Sequence, residues 1–144
     1  MESVKFDRER GQILVQVAIM VGVLFAFVAL AVDAGNVYGG RRRMQNAADA
    51  GALAGARAIC FPENEVDPVV AAEEAAIDYA VQRNDAGTAT VSIEEDYTVV
   101  VTAFQTLDTF FAGVIGINEA NVRAEAAAVC GGTVSGRGLW PLAF

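Results

Sequence analysis

The residues best suited to chemistry in this sequence are two cysteines, Cys60 and Cys130, which allow one intramolecular disulfide. In an oxidising compartment such a bond would close a loop of about 70 residues and contribute about 4 kcal/mol in the chain-entropy model. Two free buried thiols are the alternative, because unpaired cysteine is commonly buried. We favour the disulfide, on the condition that both residues lie outside the cytoplasm.

A group of acidic residues has the spacing of a calcium-binding loop. Glu63, Glu65, Asp67 and Glu74 fall at positions 1, 3, 5 and 12 of such a loop. The sharp turn at position 6 requires glycine, and Pro68 stands there instead. We therefore expect no metal site here and place Glu74 on a solvated helix face.

The sequence contains no recognisable catalytic constellation. There is no histidine to serve as a general base for the three serines, Ser3, Ser92 and Ser135. Gly-x-Ser-x-Gly, phosphate-loop and CxxC motifs are also missing from the sequence. The net charge of −8 argues against a nucleic-acid partner. We expect a protein that is not an enzyme and that uses no cofactor.

The apolar residues are concentrated near the N-terminus. Hydrophobic residues make up 54% of the chain, and between Ile13 and Val32 the only strongly polar side chain is Gln16. A helix of that length spans about 30 Å, the hydrocarbon thickness of a bilayer. We predict a transmembrane helix over residues 12–34, preceded by a leader, residues 1–11. The alternatives are a buried helix of a soluble protein and a cleaved secretory signal, whose apolar part is usually shorter.

Charge alone does not decide the topology. Lys5, Arg8 and Arg10 precede the span and Arg41–Arg43 follow it, so the positive-inside rule gives a tie. The arginine triplet faces either lipid headgroups or solvent. Because it lies farther from the span than the N-terminal basic residues do, it counts less in the positive-inside rule. Because a disulfide also requires an oxidising side, we expect a cytoplasmic N-terminus and an extracytoplasmic body, residues 35–130.

Residues 41–60 predict a helix with a face of small side chains. The residues of this packing face recur at spacings of three and four: Met44, Ala48, Gly51, Gly55 and Ala58. Small side chains let another backbone approach closely, so we expect this face to pack on a sheet or on a neighbouring subunit. The glycines of Gly35–Gly40 could form a hinge before this helix, while one long helix is expected over about residues 12–60.

The remaining segments predict a small antiparallel sheet with peripheral helices. A helix is expected from Pro68, capped by Asp67, to about residues 85–87. Residues 88–93 and 97–104 alternate and are rich in Val and Thr, which predicts a hairpin with an acidic tip. A short apolar helix is expected over 108–117. Residues 121–130 predict a third strand, although their alanines leave a helix as the alternative. We expect residues 131–144 to form a glycine-rich linker and an apolar C-terminal segment.

Two motifs flank the predicted span. Residues 10–16 read RGQILVQ, and residues 43–56 read RMQNAADAGALAGA. Together they resemble the TadE/TadG-like family of the tight-adherence (Flp-type) pilus machinery, related to type IV pilins. The resemblance is specific over residues 8–60 and looser over 61–144. It implies a cytoplasmic leader, one transmembrane helix, an extracytoplasmic domain and a role as a minor pilin-like (pseudopilin) component of pilus assembly.

The resemblance also implies prepilin-type processing after Gly11, which would leave Gln12 as the new N-terminus. Pilins usually carry glutamate at the fifth position after the cut, and Gln16 occupies that position here. A carboxylate there can neutralise a neighbouring subunit's terminal amine in a medium of low dielectric constant, whereas an amide supplies no charge. The alternative is that Gly11 only breaks the chain before the span.

These observations predict a pilin-like α+β protein that crosses a bacterial-type inner (cytoplasmic) membrane once. Its long N-terminal helix would continue outward and pack its small-residue face on a small antiparallel sheet. The expected partners are membrane lipid and other pilin-like subunits or pilus assembly proteins, and association into a homo-oligomer stays open. The alternatives are a filament-forming pilin subunit and a membrane-tethered binding or adhesion module.

Overall fold

The computed structural model describes residues 9–62 and 67–131. Its elements in chain order are α1 (Glu9–Cys60), α2 (Pro68–Ile77), a π-helical turn (Asp78–Gln82), β1 (Thr88–Ile93), β2 (Thr98–Asp108), a 3₁₀ turn (Ala112–Ile115) and β3 (Glu119–Val129). The predicted α+β class is confirmed. Most of the predicted leader, the acidic residues Glu63 and Glu65, and the predicted C-terminal segment after Gly131 lie outside the described residues.

The helix α1 is continuous, as expected for one long N-terminal helix, and Gly35–Gly40 form no hinge in it. It extends over 52 residues without interruption. Glycine weakens a helix by about 1 kcal/mol relative to alanine but removes no backbone hydrogen bond, and no proline interrupts this segment. The strongly helical sequences on either side therefore carry the helix through the glycines.

The chain divides into two compact units. Among the described residues, the first contains α1 up to Gly39 together with Leu107–Ala120, and the second contains the rest of α1, the chain up to Thr106, and residues 121–131. The segment that links β2 to β3 therefore groups with the apolar half of α1 and not with the rest of the predicted body.

The three strands of the described residues form a sheet in the order β1-β2-β3. The β1–β2 hairpin is antiparallel, with Thr88 opposite Phe104 and Ile93 opposite Val99, as the alternating pattern predicts. At its tip, the Asp96 carboxylate accepts a hydrogen bond from the Thr98 backbone N–H at 3.0 Å, and Thr98 holds the pKa of Asp96 below its usual value. The segment after residue 118 is a strand, which excludes the helical alternative.

The second helix begins as predicted but ends earlier. The Asp67 carboxylate caps α2 by accepting a hydrogen bond from the Val69 N–H at 2.8 Å. After Ile77 the helix widens into the π-helical turn, where the Arg83 N–H donates to the Asp78 carbonyl oxygen. Arg83 also forms an ion pair of 2.8 Å with the Asp78 carboxylate. The helical conformation thus stops before the predicted end at residues 85–87.

The predicted apolar helix over residues 108–117 is wrong. Strand β2 continues to Asp108, and only Ala112–Ile115 form a 3₁₀ turn. The Thr109 N–H donates to the Asn118 carbonyl oxygen and so extends the strand pairing around the loop. Gly116, with φ of 88°, then turns the chain in a left-handed conformation that favours glycine.

The core of the second unit is built from small side chains. Val99 and Val101 of β2 are fully buried against alanines of α1 and of the helical segment that follows Pro68. The fully or almost fully buried alanines of this cluster are Ala52, Ala56, Ala76 and Ala80. Because alanine adds little bulk, this core depends on close approach of the backbones and not on large side chains.

Candidate functional site

The first half of α1 presents apolar side chains on every face. The described part of the chain has one helix that is long and apolar enough to cross a membrane, and its most apolar stretch has a mean hydropathy of 2.8 and none of its residues buried. Leu14 and Phe25, for example, expose 73% and 71% of their surface. A helix that is apolar on all sides and uncovered by protein is suited to lipid or to the apolar helices of other subunits.

The residues of the predicted processing site lie at the start of this stretch. Gly11 is in α1, and the side chains of Gln12 and Gln16 are exposed. Cleavage after Gly11 stays a prediction.

The carboxylate of Asp33, directly after the apolar stretch, is buried and holds three successive backbone N–H groups. Its Oδ1 accepts from Phe110 N at 2.8 Å, and its Oδ2 accepts from Phe111 N at 3.0 Å and from Ala112 N at 2.6 Å. Only 8% of the surface of Asp33 is exposed. Hydrogen bonds of this kind, in which the acceptor is ionised, are about twice as strong as neutral ones.

One turn further along α1, a second polar side chain contacts the same segment. The Asn36 Nδ2 donates to the carbonyl oxygen of Asp108 at 3.2 Å. Sequence reasoning treated Asp33 only as the end of the span and missed this attachment. The available signal was an acidic residue at the edge of a long apolar run in a chain that carries a second, shorter apolar run at 110–117.

The loop that Asp33 holds is itself apolar, and we call Phe110–Ile117 the apolar loop. Its large side chains are exposed to different extents: Phe110 67%, Phe111 47%, Val114 89%, Ile115 76% and Ile117 53%. Scattered apolar side chains are normal at protein surfaces, but a contiguous group of this size marks an interaction surface.

The predicted packing face lies in the second unit. Met44, Ala48, Gly51 and Gly55 are buried, and Ala58 is half-buried. A Cβ atom on Gly55 would lie 2.9 Å from Val99 Cγ1 and 3.1 Å from the Ala72 carbonyl oxygen. The face therefore packs on both the sheet and α2 of the same chain.

The two cysteines meet at the end of the second unit that contains the C-terminus of α1. Cys60 is the last residue of α1, Cys130 follows β3, and the two are joined by a disulfide with their Cα atoms 5.5 Å apart. The bond links the helix to the edge strand of the sheet across 70 residues of sequence.

A groove of about 760 Å³ lies between α1 and α2. Its lining combines apolar side chains, such as Leu53 and Tyr79, with the charged side chains of Arg57, Glu74 and Asp78. We assign it no chemistry, because neither histidine nor a cysteine thiol lines it.

A comparison with known protein families gives a match over most of helix α1. The Tad family model, which describes TadE/G-like proteins of Flp pilus assembly, matches residues 11–58. The match covers most of α1, including the apolar stretch, Asp33 and the packing face, and it confirms over this segment the family that the two motifs predicted. No curated protein and no solved structure matches the chain.

Proposed function

Starting from the TadE/G-like segment at residues 11–58, we propose that this chain is a minor, pilin-like structural component of a pilus-assembly machine, without catalytic activity. The observation that supports this most directly is that the two halves of α1 differ in what covers their side chains. Its first half exposes apolar side chains on all faces, while one face of its second half is buried against its own sheet and α2. A long helix with one free apolar half and one packed half can join other pilin-like helices within a membrane.

The same helix supports the proposed location. We place α1 across the bacterial inner membrane, with the N-terminus in the cytoplasm and the sheet outside it. The disulfide between Cys60 and Cys130 favours this direction, because disulfides persist on the oxidising side of that membrane. Lipid and pilus-assembly proteins are then the partners, and no cofactor is required.

Gln16 favours a minor component over a filament-forming subunit. In a polymer of pilin type, a buried terminal amine needs a charged partner, and an unpaired buried charge costs several kcal/mol. No carboxylate occurs in the apolar stretch before Asp33. A chain that enters an assembly in few copies can instead lie beside a subunit that supplies the missing charge.

Replacement of the anchor tests the proposal against the alternative of a tethered binding module. Residues 13–32 are exchanged for an unrelated leucine–alanine span of equal length, and filaments are counted in cells that lack the native chain. We expect the native chain to restore filaments and the exchanged chain, at equal membrane abundance, to fail. Restoration by the exchanged chain would show that α1 only anchors and would overturn the pilin-like role.

A further inference from the structure

The apolar loop has a composition that is unusual for a water-exposed connection. From Thr109 to Asn118 the sequence contains no charged residue, while Asp108 and Glu119 stand immediately outside it. Its most exposed side chains, Val114 and Ile115, lie on the 3₁₀ turn at the tip of the loop.

Most backbone N–H groups of the loop also have hydrogen-bond partners within the chain. The N–H groups of Val114, Gly116 and Ile117 donate to carbonyl oxygens of Phe111, Gly113 and Ala112. The preceding N–H groups, at residues 110–112, are held by the Asp33 carboxylate. Where water is scarce, as at the boundary of a bilayer, the backbone N–H and C=O groups of a segment need hydrogen-bond partners within the protein.

The attachment to Asp33 fixes the height of the loop along α1. Asp33 follows Val32, the last residue of the apolar run, and successive residues of a helix rise by about 1.5 Å. The carboxylate therefore lies at the level where the hydrocarbon ends and the headgroups begin. Within this compact unit the loop is therefore attached to α1 directly after its apolar run.

From these observations we propose that the apolar loop inserts into the membrane interface beside α1, with lipid acyl chains and headgroups covering its exposed side chains. The chain would then contact the bilayer through two elements, a spanning helix and a loop that Asp33 and Asn36 hold against it. This inference rests on the proposed membrane anchor. Lipid is the occupant because Asp33 holds the loop directly beside the end of the proposed span, and because the loop carries no charge that would pair with a protein partner.

Depth-dependent fluorescence quenching tests the loop directly. The full chain contains one tryptophan, Trp140, which is replaced by phenylalanine so that new tryptophans report alone. Val114→Trp reports the loop, Leu24→Trp reports the span, and Tyr97→Trp, beside the acidic hairpin tip, is the matched exposed control. Each variant is reconstituted at a low protein-to-lipid ratio into phosphatidylcholine vesicles brominated either near the headgroups or deep in the acyl chains.

We expect shallow bromines to remove about half of the Val114→Trp emission and to quench it more than deep bromines do, as at an interfacial depth. Tyr97→Trp should keep its emission in both lipids, and Leu24→Trp should be quenched best by the deep label. Quenching of Val114→Trp no stronger than that of Tyr97→Trp would overturn the insertion of the loop. Loss of quenching at Leu24→Trp would instead overturn the anchor, so the two failures are distinguishable.

Adding Asp33→Asn to the Val114→Trp variant tests the attachment. We expect quenching by the shallow label to fall at least two-fold, while a matched Asp49→Asn change leaves it unaltered. Shallow quenching that stays weak at the low protein-to-lipid ratio, and falls further as that ratio rises, would show that another subunit shields the loop from lipid and would contradict the proposal.

Discussion

A Cβ atom on Gly51 would lie 2.8 Å from the carbonyl oxygen of Ala76, closer than such atoms pack in folded proteins. The same Cβ would lie 3.2 Å from both Ala80 Cβ and Val101 Cγ1. The absence of a side chain at residue 51 therefore allows α1 to approach α2 and β2 together. This close approach replaces the large side chains that fill most cores of this size.

The first prediction follows from this contact. Gly51→Ala should lower the free energy of unfolding of the second unit by about 1–3 kcal/mol, because the carbonyl of Ala76 is backbone and must shift. Gly39→Ala is the matched control, since nothing lies within 4 Å of its Cβ position. That change should be neutral or stabilising by up to about 1 kcal/mol through helix propensity. Denaturation of the detergent-solubilised chain, followed by near-ultraviolet circular dichroism, measures both; equal stability of the two variants would contradict the packing.

The second prediction concerns the cysteines. The chain purified from membranes should take up no alkylating reagent before reduction and two equivalents after it, as measured by intact mass. Cys130→Ser is the control, because it frees Cys60 to take one equivalent without reduction. Replacing both cysteines by serine should lower stability by about 4 kcal/mol in the chain-entropy model, since the bond closes a long loop. Labelling of both thiols in the unreduced native chain would rule out the bond.

The third prediction concerns the buried carboxylate. Asp33→Asn removes the charge that the N–H groups of Phe110, Phe111 and Ala112 share, so these amides should exchange with deuterium about ten-fold faster or more. Asp49 is a suitable control, because within residues 9–62 and 67–131 its exposed carboxylate accepts only a local hydrogen bond, from the Gln45 side chain. Asp49→Asn should leave exchange over residues 110–112 unchanged. Unaltered exchange in Asp33→Asn would mean that the loop is held by other contacts.

The fourth prediction concerns topology. Ser92 is exposed on β1, so Ser92→Cys should react with a membrane-impermeant maleimide in cells whose outer membrane has been opened. The native chain is the control and should remain unlabelled, because its cysteines are paired. Labelling of Ser92→Cys only after the inner membrane is permeabilised would reverse the proposed orientation.

Much of the fold could be predicted because its signals are local. The length of the apolar run identified the first half of α1, the alternation around Glu94–Asp96 identified the hairpin, and Asp67 before Pro68 identified the start of α2. The small-residue spacing around Gly51 predicted a face that packs on the sheet, but it did not indicate that α2 packs there as well.

The parts that sequence reasoning missed depend on contacts distant in the chain. The apolar composition of residues 108–117 is equally compatible with a helix and with the observed loop. The loop conformation depends on Asp33, whose carboxylate accepts hydrogen bonds from backbone N–H groups 77–79 residues further along the chain.

The central claim, that this chain is a minor component and not the bulk subunit of a filament, is tested most directly by stoichiometry. Surface filaments are sheared from cells that make the native chain, purified, and quantified by mass spectrometry with isotope-labelled standards, alongside the membrane fraction. The account predicts that this chain is retained in the membrane or is present in filaments at low copy beside a more abundant subunit with glutamate at the position of Gln16. Filaments composed mainly of this chain, with Gln16 buried in their core, would contradict it.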